Sequence, residues 1–157
     1  MYADFTFYVS TYGGALITDA TEFEQLASRA DLEINKATDN RLEDYPPAEK
    51  YEPRIAITEC ELADELKIIR MAGEAVANNL SASGSGTGAV AGDVASITSG
   101  EESISYSSSG AISAGRAAYV QAATDPAARE RLLYAIILRD LSGVPDARGI
   151  NLTYKGA

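Results

Sequence analysis

The chain has 157 residues, of which 46% are hydrophobic and 23% charged, with a net charge of −10; this suits one domain around one core. Such acidity argues against tight nucleic-acid binding, which draws on clustered Lys and Arg. Histidine is absent and Cys60 is the single cysteine, which removes Ser-His-Asp and Cys-His catalysis, His-ligated and thiolate metal sites, and any intrachain disulfide.

The charge is unevenly placed. Residues 1 to 52 carry 11 acids against 4 bases, whereas residues 125 to 157 carry 4 against 5. Met1-Tyr2-Ala3-Asp4 has neither the basic start nor the apolar run of a signal peptide, and no stretch approaches the ~20 apolar residues of a membrane span. The expected place of the protein is the cytoplasm, or a particle assembled there, without membrane contact.

Residues 2 to 17 form an aromatic lead with Tyr2, Phe5, Phe7, Tyr8 and Tyr12, turning at Gly13-Gly14 and expected to pack across the helices that follow. Thr21 three residues before Glu24 reads as a capping box. Phe23, Leu26, Ala27, Ala30, Ile34 and Ala37 then recur at helical spacing, which predicts a first helix over 21–42 ended by Tyr45-Pro46-Pro47. Pro53 suits the first turn of a second helix. Ile55, Leu62, Ile69 and Val76 fall seven apart beside Leu66, Gly73 and Leu80, predicting a long bundle helix over 53–80. The acids along it, Glu59, Glu61, Asp64 and Glu65, read as a solvated face.

From Ser81 to Gly115, 18 of 35 residues are Ser or Gly, a composition that orders poorly by itself. Within this arm, alternation through Val94, Ile97, Ile104 and Tyr106 around Gly100 predicts a β-hairpin over about 94–107. Such a hairpin is marginal alone and needs a neighbour to lean on. A short, weaker helix is expected near 111–123. Asp125 and Pro126 then open a helix over 126–142 that stops at Gly143 and Pro145. Residues 146–157 alternate as an extended tail with no partner visible in their own chain; adding a strand to another protein's edge would supply one.

No motif with a mechanism emerges. Gly84-Ser85-Gly86-Thr87-Gly88-Ala89 matches a bare dinucleotide fingerprint, but it follows a helix instead of a strand. The carboxylates lack an EF-hand pattern. No catalytic residue, metal ligand or cofactor is expected, and the reading is that of a non-enzyme with a mainly α fold: one domain over 1–157, a small helical bundle with a Ser/Gly-rich β-hairpin arm and an extended C-terminal tail.

The order of features also carries a family likeness. The lead Tyr2-Ala3-Asp4-Phe5-Thr6-Phe7-Tyr8, the Tyr12-Gly13-Gly14 turn with Leu16-Ile17, a helix entered by Phe23 and Leu26, an alanine-rich second helix, the Ser103-Ile104-Ser105-Tyr106-Ser107 strand and Arg148-Gly149 near the end resemble the head-tail connector (adaptor, head-completion) proteins of siphophages and prophages of Gram-positive bacteria. The resemblance implies a structural virion protein of the neck, made in the host bacterial cytoplasm. Such a protein forms a homo-oligomeric ring on the portal, in the portal's twelvefold symmetry, and receives the next neck, stopper or tail protein. DNA passes through its channel without sequence-specific binding.

The resemblance implies that the C-terminal segment docks on the portal, through Arg148, Gly149, Ile150, Leu152 and Tyr154. Contact between subunits falls to the hairpin arm, with Val94, Ile97, Ile104 and Tyr106, and the acidic Glu22, Glu24 and Asp31 are candidates to line the lumen. The chain departs from the family pattern in its longer Ser/Gly stretch and in residues 110–125, which look inserted. The alternatives are another neck or tail-completion (stopper) protein and, after that, a bacterial ligand-binding module or enzyme.

Overall fold

The computed structural model describes the backbone of residues 1–82, 96–99, 102–105 and 110–154, and the side chains of 1–78 and 116–154. The fold is mainly helical. The aromatic lead is itself helical: α1 (Phe5–Phe7), capped by the Asp4 carboxylate accepting the Phe7 N–H at 2.7 Å, runs into a π-helical turn over Tyr8–Tyr12. Gly13 closes that turn at φ 77°, a left-handed conformation suited to glycine.

Helix α2 (Ala20–Ala37) starts two residues earlier than the capping box at Thr21 predicts, because the Asp19 carboxylate accepts the Glu22 N–H at 2.8 Å. Its buried face is the expected one: Phe23, Leu26, Ala27, Ala30, Ile34 and Ala37. It stops at Ala37, short of 42. The Thr38 hydroxyl turns back onto the Ile34 carbonyl, and Asp39 and Asn40 take φ 55° and 56°; these are two residue types that tolerate the left-handed region. A short helix α3 (Arg41–Asp44) then buries Leu42.

A 3₁₀ turn over Glu49–Tyr51 leads into α4 (Glu52–Ala82), the spine of the molecule, with Pro53 in its first turn. Two stripes of α4 serve two apolar clusters. Ile55, Leu62 and Ile69 join Ile34 and Leu42 and, from the C-terminal part of the chain, Leu133, Ile137, Leu141, Val144 and Leu152. Ala56, Cys60 and Ala63 join Ala3, Tyr8, Ile17, Phe23 and Leu26. The heptad series at Ile55, Leu62 and Ile69 therefore marks a packed bundle face. Small residues on the other stripe leave room for the aromatic lead, in which Tyr8 and Phe23 stand 4.8 Å apart between ring centroids. Cys60 is fully buried, and burial pushes its thiol up to about 12, so it is a core filler.

Strands β1 (Ser96–Ser99) and β2 (Glu102–Ser105) pair antiparallel with Ile97 opposite Ile104. Val94 and Tyr106 lie outside the described residues. Helix α5 (Gly110–Thr124) packs on both α4 and the last helix, α6 (Pro126–Leu141), burying Ala122. Residues 110–124 thus form a helix of the bundle. Asp125 caps α6 by accepting the Ala127 N–H at 2.9 Å, with Pro126 at the first position. Among the described residues no helix is long and apolar enough to cross a membrane.

Candidate functional site

Residues 146–154 do not run out as the expected extended tail, and residues 155–157 lie outside the described residues. Val144 and Leu152 are both buried, the Leu152 N–H donates to the Val144 carbonyl at 2.9 Å, and Pro145 bridges to Asn151, so the chain doubles back on the body. The loop between them is built on Asp146. Its carboxylate accepts the backbone N–H groups of Arg148 and Ile150, each at 2.9 Å, and an Arg148 guanidinium N–H at 3.0 Å. Burial by itself would raise the Asp146 pKa; the Ile150 and Arg148 hydrogen bonds outweigh it and hold the carboxyl below its ordinary value. Gly149 supplies the left-handed φ of 81° that closes the loop.

This geometry divides the five C-terminal candidates. Arg148 lies 3.4 Å over the Tyr45 ring while paired to Asp146, Gly149 shapes the backbone, and Leu152 is core. These three hold the loop together. Ile150 and Tyr154 remain outward, 38% and 54% exposed. The loop is pinned from outside as well, by the Ala147 N–H on the Tyr45 carbonyl at 3.3 Å and by Arg41 on the Asn151 carbonyl at 3.1 Å. A partner meeting Ile150 and Tyr154 would meet a pre-ordered surface.

The three acidic candidates on α2 do not form a strip of open carboxylates. Glu22 pairs with Lys67 and Arg70 of α4, and the Asp31 carboxylate accepts from the Met1 amino group at 3.1 Å. Glu24 alone of the three is exposed. The acids of α4 also depart from a solvated face. Asp64 accepts the Tyr8 hydroxyl at 2.6 Å, Glu65 accepts the Tyr119 hydroxyl at 3.2 Å, and Glu59 is fully buried. One Glu59 oxygen accepts the Tyr2 and Ala3 N–H groups at 2.7 and 2.6 Å, while the other has no hydrogen-bond partner among the described residues. Burial pushes the Glu59 carboxyl up to about 6 despite those two bonds.

Ile97 and Ile104 stand opposite each other in the strand pair. Among the described residues no group of three or more acidic or thiol side chains is arranged to hold a metal ion. A scan against protein-family models, a search of curated proteins and a search of solved structures each found no match to this chain.

Proposed function

We propose that this chain is a structural adaptor of a tailed-phage neck: a protein that assembles as a ring on the portal, connects head to tail and lets DNA pass. The observation that carries the reading is the C-terminal loop, where Asp146, Arg148, Gly149 and Leu152 build a rigid base that holds Ile150 and Tyr154 outward. A pre-ordered apolar contact loses little conformational freedom on docking, which suits a surface whose work is to bind another protein. The acidic N-terminal region and the resemblance in feature order point the same way. The Ser/Gly-rich segment with its β1/β2 pairing is the proposed arm between subunits, and α4 and α5 on either side of it in the chain pack on each other.

Native mass measured on this protein mixed with the portal protein encoded by the same genome tests the proposal. A complex with one copy per portal subunit supports the adaptor. Absence of a complex at micromolar concentration, together with binding to the tail-side proteins, would replace it with a tail-completion protein.

A further inference from the structure

A cleft of about 180 Å³ opens where α2, α4, α5 and α6 meet. Its apolar wall is Leu26, Leu66, Ile69 and Ala123, and its polar wall is three arginines: Arg29, Arg70 and Arg129. Gly73 contributes no side chain, and a Cβ there would stand 3.5 Å from Ala123 Cβ, an ordinary contact; the glycine keeps that side of the cleft open. In a chain of net charge −10, three guanidinium groups gathered around one small cleft run against the general distribution.

Among the described residues their charges are only partly answered. Arg70 shares Glu22 with Lys67 and lies 3.9 Å from Glu74. Arg129 donates through Nε to the Ala122 carbonyl at 3.3 Å, a neutral acceptor, while Arg29 is exposed and makes no ion pair among the described residues. Among the described residues the carboxylates paired with Lys67 and Arg70 are Glu22 and Glu74. Guanidinium forks favour bidentate recognition of carboxylate, and a low apolar wall strengthens such pairs by limiting solvent.

We propose that this cleft is a binding site for an acidic side chain next to an apolar one, presented by a protein partner: the carboxylate meets Arg29 and Arg129, and the apolar neighbour covers Leu66 and Ile69. The volume suits a side chain and is well below that of an ordinary small-molecule pocket. The inference stands on the cleft alone and does not rest on the adaptor reading.

The probes are an acetylated, amidated Glu-Leu-Glu peptide, its Gln-Leu-Gln counterpart and inorganic phosphate, each titrated into the isotope-labelled full chain while amide shifts near Gly73 and the arginine Nε–H signals are followed. Saturable shifts with the acidic peptide, weakened about tenfold by Arg29→Gln with Arg129→Gln, are expected, as removal of two partly exposed ion pairs would give. Arg29→Gln alone, on an exposed side chain, keeps the test sound if loss of Arg129 loosens the α5–α6 junction, and it should weaken binding about threefold. Equal binding of the neutral peptide, binding of phosphate as tight as the acidic peptide, or shifts unaffected by Arg29→Gln would each overturn the proposal.

Discussion

Glu59, buried in the N-terminal third of α4, accepts the Ala3 backbone N–H at 2.6 Å and so ties the start of the chain to the spine of the bundle. The same oxygen also accepts the Tyr2 N–H. Two backbone donors with no helical partner of their own thus depend on one side chain 56 residues away or more. Glu59→Ala would leave both unpaired and open a void, and should cost roughly 2–4 kcal/mol in chemical denaturation. Glu59→Gln keeps an acceptor oxygen and should cost clearly less. Equal loss in the two variants would mean that the two N–H bonds are not what Glu59 contributes.

The pH dependence of stability follows from two carboxyls of opposite sign. Glu59 has its folded pKa raised from 4.5 to about 6, so its contribution is greatest below the ordinary carboxylate value and is lost as pH rises through about 6; the shift corresponds to about 2 kcal/mol. Asp146 is lowered by the Ile150 and Arg148 bonds acting against burial, so its contribution is present above the ordinary carboxylate value and lost as pH falls through the folded one. Urea midpoints should therefore change between pH 4.5 and 6 in a way that Glu59→Gln flattens, while Asp146→Asn flattens the more acidic limb.

Gly14 lies against the Tyr8 ring so closely that a Cβ would fall within it. Tyr8 is fully buried, its hydroxyl donating to Asp64 and accepting the Ile17 N–H at 3.1 Å. Gly14→Ala must displace the ring and should cost roughly 3 kcal/mol. Tyr8→Phe removes both hydroxyl bonds and should cost roughly 1–3 kcal/mol. Thermal melts of the two variants rank them, and a Gly14→Ala protein as stable as the parent would contradict this packing.

Leu152 is part of the same cluster as Leu133, Ile137 and Leu141. Leu152→Ala should cost roughly 2–4 kcal/mol by leaving a cavity, whereas Tyr154→Ala, on a side chain 54% exposed, should change stability by no more than about 0.5 kcal/mol. Removing residues 146–157 altogether would therefore damage the core as well as any docking surface, and point substitutions are the cleaner probe.

What the sequence made legible depended on how local each signal was. The seven-residue series at Ile55, Leu62 and Ile69 and the Asp125-Pro126 start of α6 are local patterns, and both appear in the fold. Apolar spacing that continues through Leu42 hides the end of α2, although Asp39 and Asn40 suit a left-handed turn. The C-terminal residues alternate as a strand would, yet the Asp146 side chain can accept from Arg148 and Ile150 within the same loop, and that local hydrogen bonding wins. Glu59 could not have been singled out from the other acids of α4: its burial depends on Tyr2 and Ala3, far away in sequence. The arginine cleft was equally invisible, since Arg29, Arg70 and Arg129 come together only through packing.

The most direct test of the adaptor reading is the native mass of the portal mixture for the parent protein beside an Ile150→Glu, Tyr154→Ala variant whose melt matches the parent. The account predicts one copy per portal subunit with the parent and no complex with the variant. Full binding by the variant, or none by the parent, would contradict it.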